Sequence, residues 1–298
     1  MLRRPARPRL SRFAGFVRSA IGAASVVALL GSVVGTAGAA GAAPDDAIAK
    51  IRDRGSITIG TKFDQPLFGL VDPATGVPAG FDVEIAKLVT RRVFGAQVAR
   101  NITFVETPSK VRETALTSGT VDLVVATYTI TPERDAVVDF TEPYYETGQS
   151  ILVSRADTTT RSVADLAGKR VCTVTGSTSA TNLAAKAPTA VPVLLDTYSA
   201  CVAALRAGQV DAVTTDEAIL LGYLADGGHD LRIAGEPFTR EAYGIGVAPG
   251  GVCQQRLDAA LNEIFRDGSW RRAWKRTIGA AGGTPPAPPV RTIRQACP

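Results

Sequence analysis

VATYTITPERDAVVDFTEPYY, residues 125–145, is the stretch from which the rest of the chain can be read. It is entered through an apolar run, residues 121–126, that reads as a buried parallel strand. The run ends in alternating hydroxyls, Thr127 and Thr129, and passes into Thr131-Pro132-Glu133-Arg134. Thr131 is a favourable N-cap and Pro132 suits the first helical position, so a short helix is predicted to start there. Arg134 then falls in the first turn, beside backbone N–H groups that have no partner within the helix. A guanidinium next to free amides is a natural seat for a carboxylate. The competing reading pairs Arg134 with Asp135 or Asp139 on the surface.

Two strings carry a family resemblance. One is Thr127, Thr129 and Arg134 followed by D-F-x-x-x-Y-Y, here Asp139, Phe140, Tyr144 and Tyr145. The other is G-F-D-x-E-I-A at residues 80–86. Together they resemble the family 3 extracellular solute-binding proteins, the amino-acid receptors of ABC importers, over residues 57–278. The resemblance implies that Arg134 holds a ligand α-carboxylate and that Thr127 and Thr129 line the pocket. In the second string, Asp82 and Glu84 are expected to favour the first helical turn electrostatically and Phe81 to pack in the core, outside the site.

The charge balance supports an exported protein rather than a nucleic-acid binder. The chain of 298 residues has a formal net charge of +5. Arg3, Arg4, Arg7, Arg9, Arg12 and Arg18 supply six positive charges before the first acid, Asp45, and removing those six from +5 leaves −1. The basicity belongs to a leader. An arginine-rich start, an apolar run over residues 20–34 and a small-residue stretch over residues 37–43 have the three parts of a secretory signal, assigned to residues 1–43. The apolar run is short of the ~20 residues a membrane span needs. No cysteine lies near the cleavage region, so a soluble protein in the periplasm or at the outer face of the envelope is expected. The four cysteines, Cys172, Cys201, Cys253 and Cys297, then read as disulfides with three possible pairings. Cys172–Cys201 and Cys253–Cys297 are preferred because each closes a local loop. With no C-x-x-C and a single histidine, His229, a zinc site is not expected, nor is any other metal or cofactor.

Further candidates sit where predicted strands end, the place ligands favour in open α/β sheets. Lys62 follows the strand at residues 56–60 and hints at an anionic ligand, with a solvent-facing lysine as the alternative. Arg112 opens the helix at residues 110–118, and the resemblance makes it a contact for a side-chain carboxylate, a surface arginine being the alternative. Thr175 and Thr178 follow the strand at residues 169–174, and by family position they face the ligand. Asp216 follows the strand at residues 210–213. In the family an aspartate here pairs with the ligand α-ammonium; capping of the helix at residues 219–225 is the alternative. Residues 242–247 read as one strand, and Trp270 and Trp274 as packing.

The expected fold is α/β: two lobes of the periplasmic-binding-protein type joined by two hinge crossings. Residues 45–144 with 243–278 form lobe 1 and residues 149–240 lobe 2, ahead of a Pro/Gly-rich tail at 279–298. The expected function is a monomeric receptor that closes around one free amino acid, glutamate before glutamine or aspartate, and delivers it to an ABC permease. Its rivals are a sensor for a membrane signalling partner and a dehydratase-like enzyme on the same fold. The enzyme reading has little support from one histidine in a Gly-Gly-His-Asp turn; a lone carboxylate such as Glu142 or Glu146 is its remaining route.

Overall fold

A computed structural model describes residues 44–282 and 286–289; the predicted leader and Cys297 lie outside the described residues. Two five-stranded sheets organise the chain. The first has the order Ile102–Glu106, Ile57–Thr61, Leu123–Val124, Gly246–Val247, Asp139–Phe140. Its first three strands run parallel, and Gly246–Val247 runs antiparallel to both of its neighbours. The second has the order Val191–Leu195, Arg170–Val174, Ala212–Asp216, Gln149–Ser154, Leu231–Ala234.

Both faces of each sheet are covered, and the sequence shows why. Consecutive strand side chains point to opposite faces. Leu123 and Val125 accordingly join the cluster containing Ile59, Phe81 and Trp270, while Val124 and Ala126 join the one containing Tyr128 and Phe140. In the second sheet Leu152 packs with Cys172 and Val213, and Ile151 and Val153 pack with Val171 and Ala212. An uninterrupted apolar run therefore serves two cores at once. Trp270 and Trp274 are buried, and the Trp270 indole donates to the Tyr144 carbonyl at 2.8 Å.

The chain passes between the sheets twice. Tyr145–Thr147 leads into the second sheet and Glu241–Tyr243 leads back, and the two segments pair antiparallel as a ribbon. The lobes are thus joined by two hydrogen-bonded crossings. The strand expected at residues 242–247 is split here. Gly244 donates to the Tyr128 carbonyl and Ile245 to the Thr141 hydroxyl, which pulls the backbone out of the ribbon before it enters the first sheet. The strand expected at residues 121–126 shortens to Leu123–Val124, although Asp122 and Val125 still donate to the neighbouring strand.

Cys172 and Cys201 are bonded, tying the strand Arg170–Val174 to the helix Tyr198–Arg206 across a separation of 29 residues. Cys253 is also disulfide-bonded, but its expected partner lies outside the described residues. Replacing Cys172 and Cys201 together by alanine should cost about 3.6 kcal/mol, the loop-closure value for a bridge spanning 29 residues. Guanidinium unfolding would read this as a lowered midpoint; an unchanged midpoint would mean the bridge does no more than fill space.

Candidate ligand-binding site

Of the predicted residues, Lys62, Arg112, Arg134 and Asp216 come within electrostatic reach of one another, and Arg134 bonds across to Gly176 beside Thr175. Thr127 anchors the site's floor in an unusual backbone state, with φ of 45°. A β-branched residue there costs of order 1–3 kcal/mol and must be held in place. Three groups hold it. The Thr127 amide donates to Asp82 Oδ2 at 2.7 Å, and its hydroxyl donates to Gln65 Oε1 at 3.0 Å. Arg112 Nη1 donates to the carbonyls of Ala126 at 3.0 Å and Thr127 at 3.4 Å. Hydrogen bonds involving charged groups contribute roughly 1.5–3 kcal/mol each, enough to outweigh the strain.

Asp82 corrects its predicted role. It is fully buried and accepts from Thr127 and from the Tyr144 hydroxyl, so it braces the site's backbone. Burial raises its pKa to about 7, against the opposing pull of these two hydrogen bonds and of Lys62 and Arg112. Glu84 stays at the surface, paired with Arg276.

Arg112 is neither a surface arginine nor free to give its whole fork to a ligand. It is 2% exposed, and its guanidinium lies 4.2 Å from the Tyr128 ring centre. Burial lowers its pKa to about 10, helped by Arg134. Its Nε is buried without a partner among the described residues. Arg134 lies over the same ring at 5.2 Å. Its amide donates to the Thr131 hydroxyl, as the predicted cap requires, at the head of the four-residue helix Pro132–Asp135. The guanidinium donates to the carbonyls of Thr129 at 2.8 Å and Gly176 at 3.0 Å, and its Nε lies 3.2 Å from Glu113. Of five N–H donors, these contacts leave two.

Lys62 does not face solvent. It is 4% exposed, and its ammonium donates to the Ser109 hydroxyl at 3.0 Å. Burial, then repulsion from Arg112 and Arg134, lowers its pKa to about 7, while Asp64 and Glu106 pull the other way.

Opposite stands Asp216. It occupies the N-cap position of the helix Glu217–Ala225, yet its side chain makes no capping hydrogen bond. Oδ2 accepts from the Tyr243 hydroxyl at 2.5 Å, and Oδ1 is buried with no partner among the described residues. Burial, then Glu241, raises its pKa to about 7; Arg112 and Arg134 work against this. Thr129 is buried, and bridges to Tyr243. Thr178 donates to Glu241 at 3.0 Å, and partly buried Thr175 closes the end of its strand through its amide.

Gln65, Gln149 and Glu241 escaped the sequence reading. Glu241, in the returning crossing, gathers Thr178, Asn182 and Thr239. Gln149 donates to Ser179 and Thr214, and its Oε1 has no partner among the described residues. A fully buried amide heading a run that is covered on both faces was a readable signal for Gln149.

The lobes touch across the cleft. Lys110 pairs with Asp196 at 2.7 Å, Asp64 accepts from the Tyr198 amide, and Tyr223 donates to the Asp64 carbonyl. A methyl group on Gly222 would lie 2.4 Å from the Pro66 carbonyl oxygen. Of the carboxylates considered for acid–base work, Glu146 pairs with Arg240, and Glu142 is buried with its amide on Asp258.

Comparison with known proteins bears on the family and the fold. The family model of the bacterial extracellular solute-binding proteins, family 3, matches residues 57–280. An ABC transporter glutamine-binding protein of Bacillus subtilis is 40% identical over 235 residues, covering 78% of this chain and 85% of the relative. A glutamate-binding protein of Corynebacterium efficiens is 37% identical over 268 residues, covering 87% and 90%. Among solved structures, an ancestral arginine-binding protein bound to arginine superposes with a TM-score of 0.70 at 34% identity, covering 76% of this chain and 99% of that one. With the family model spanning both sheets and both crossings, the chain belongs to the family 3 bacterial extracellular solute-binding proteins.

Proposed function

We propose that this protein is an exported receptor that closes its two lobes around a single amino acid, glutamate before glutamine, and hands it to an ABC permease. The observation that carries the reading is Asp216 Oδ1, a buried carboxylate oxygen with no partner among the described residues, which feels the guanidiniums of Arg112 and Arg134 as well as the Glu241 carboxylate. A buried unpaired carboxylate is costly unless something compensates it. A zwitterionic ligand supplies the missing partner: its ammonium meets Asp216 while its carboxylate meets the two remaining donors of Arg134.

The side-chain preference follows from the charge count. The two guanidiniums and the Lys62 amine outnumber the carboxylates left without a partner, since Asp82 is taken up by Thr127 and Tyr144, Glu113 by Arg134, and Glu241 by Thr178, Asn182 and Thr239. Lys62 has no carboxylate within 4 Å among the described residues and a single hydroxyl as partner. A ligand with a second carboxylate balances this excess better than its amide counterpart. The relatives named above, one for glutamine and one for glutamate, support the amino-acid class.

Calorimetric titration of the mature, oxidised protein with glutamate, glutamine, aspartate and arginine tests the reading. Glutamate should bind most tightly; silence with all four would overturn it. Arg134→Ala should abolish measurable binding. Asp216→Ala should weaken it by at least ~2 kcal/mol, roughly 30-fold, through loss of a charged partner; affinity near that of the unmodified protein would remove Asp216 from the site. Closure is open to a separate check. Gly222→Ala adds a favourable helical residue to the open protein, by roughly 0.5–1 kcal/mol, yet places its methyl against Pro66 in the closed one. Overpacking costs typically ~1–3 kcal/mol, so affinity should fall at least 5-fold with no drop in the melting temperature of the free protein. Unchanged affinity would mean that the ligand-bound state does not bring Gly222 onto Pro66.

A further inference from the structure

Lys62 is a buried amine with little to keep it charged. Its side chain reaches from the end of the strand Ile57–Thr61 to the Ser109 hydroxyl. Five charged groups on five elements face it. Arg112 and Arg134 repel its ammonium; Asp64, in the short strand Asp64–Gln65, and Glu106, at the end of the neighbouring strand, attract it. Asp82, on the helix Phe81–Val93, also interacts with it. No carboxylate of the four-residue helix or of the strands around it comes within 4 Å among the described residues, so its one close partner is a hydroxyl. Burial with a hydroxyl as sole close partner favours the neutral amine.

We infer that Lys62 takes up a proton from solvent when an acidic ligand side chain enters the cleft, so that the receptor's preference for glutamate over glutamine is set by pH. A ligand carboxylate beside the amine supplies the counter-ion that the protein withholds. Glutamine offers only an amide there, which accepts a hydrogen bond without a full charge and leaves the lysine neutral. Lys62 is thus a specificity-determining residue whose discrimination depends on its own protonation. The inference rests on the amino-acid-receptor reading above.

The sign and the window follow from the charges. In this structure, with the lobes in contact, burial lowers the Lys62 pKa to about 7, below its usual 10.5. A ligand carboxylate restores the charged form, so uptake is largest above pH 7, where the free amine has lost its proton. Glutamate affinity should therefore fall as pH rises from 7.0 to 8.5, approaching tenfold per unit where one proton is taken up. Asp216 acts in the opposite direction: its raised pKa of about 7 drops when an ammonium arrives, releasing a proton mainly below pH 7. That release is shared by both ligands and cancels from their comparison.

The experiment is isothermal titration with glutamate and with glutamine at pH 7.0, 7.75 and 8.5, each in two buffers of different ionisation enthalpy. Near pH 8.5 glutamate should bind with close to one more proton taken up than glutamine, and its affinity relative to that of glutamine should fall by more than tenfold across the series, while the affinity of glutamine itself changes by less than threefold. Lys62→Met keeps an unbranched buried chain without the charge; it should flatten the glutamate series to match that of glutamine, and continued glutamine binding would show that the variant is folded. Equal proton counts and parallel pH series for the two ligands in the unmodified protein would overturn the coupling while leaving the receptor reading intact. Absence of binding by both would overturn the receptor reading itself.

Discussion

The Asp82 carboxylate, fully buried and shared between the Thr127 amide and the Tyr144 hydroxyl, is the contact on which the site's geometry depends. Thr127 turns through a left-handed conformation at the end of a central strand, and that turn swings the following residues, with Tyr128, Thr129 and Arg134, toward the cleft. The same carboxylate reaches the segment that begins the first crossing through Tyr144. One side chain on a helix therefore fixes two separate stretches of the floor. Gln65 from one side and Arg112 from the other complete the clasp.

The second constraint is the crowding of positive charge. Arg112 and Arg134 share one aromatic face, at 4.2 and 5.2 Å from its centre. Cation–π attraction of roughly 0.5–2 kcal/mol per pair, together with the backbone carbonyls each guanidinium holds, offsets their mutual repulsion. The arrangement is tolerable because each arginine is anchored to main-chain acceptors, Arg112 to Ala126 and Thr127, and Arg134 to Thr129 and, across the cleft, to Gly176. Lys62 lacks such anchors, and it is the group whose charge gives way.

Much of this was legible from residue order alone. Thr131 and Pro132 announced a helix start, and the structure shows the Thr131 hydroxyl accepting from Arg134. Apolar runs without alternation announced strands covered on both faces, and both sheets have cores on each side. The Cys172–Cys201 pair was likewise readable from spacing. What sequence could not convey was direction in space. Asp82 looks like an ordinary acidic residue in a first helical turn, a position that suits either solvent or core. Only tertiary packing sends it inward. Arg112 read as a surface or ligand-facing charge because nothing local reveals that two carbonyls, 14 and 15 residues away, await it. The break between Tyr243 and Gly246 has the same origin: the amides of Gly244 and Ile245 are claimed by Tyr128 and Thr141, more than a hundred residues earlier.

The strand Gly246–Val247 lies between Leu123–Val124 and Asp139–Phe140. The sheet of the lobe that bears Lys62, Arg112 and Arg134 is therefore stitched together from distant parts of the chain, whereas the other sheet is one continuous stretch, Gln149 to Ala234. A chain delivered from its N-terminus can finish the continuous sheet while the discontinuous one still lacks an interior strand. Loop closure over more than a hundred residues must precede that last insertion. The topology thus sets a sequence of assembly in which the lobe bearing Asp216 is complete first, and the lobe bearing Arg134 gains its final strand only near the end of delivery.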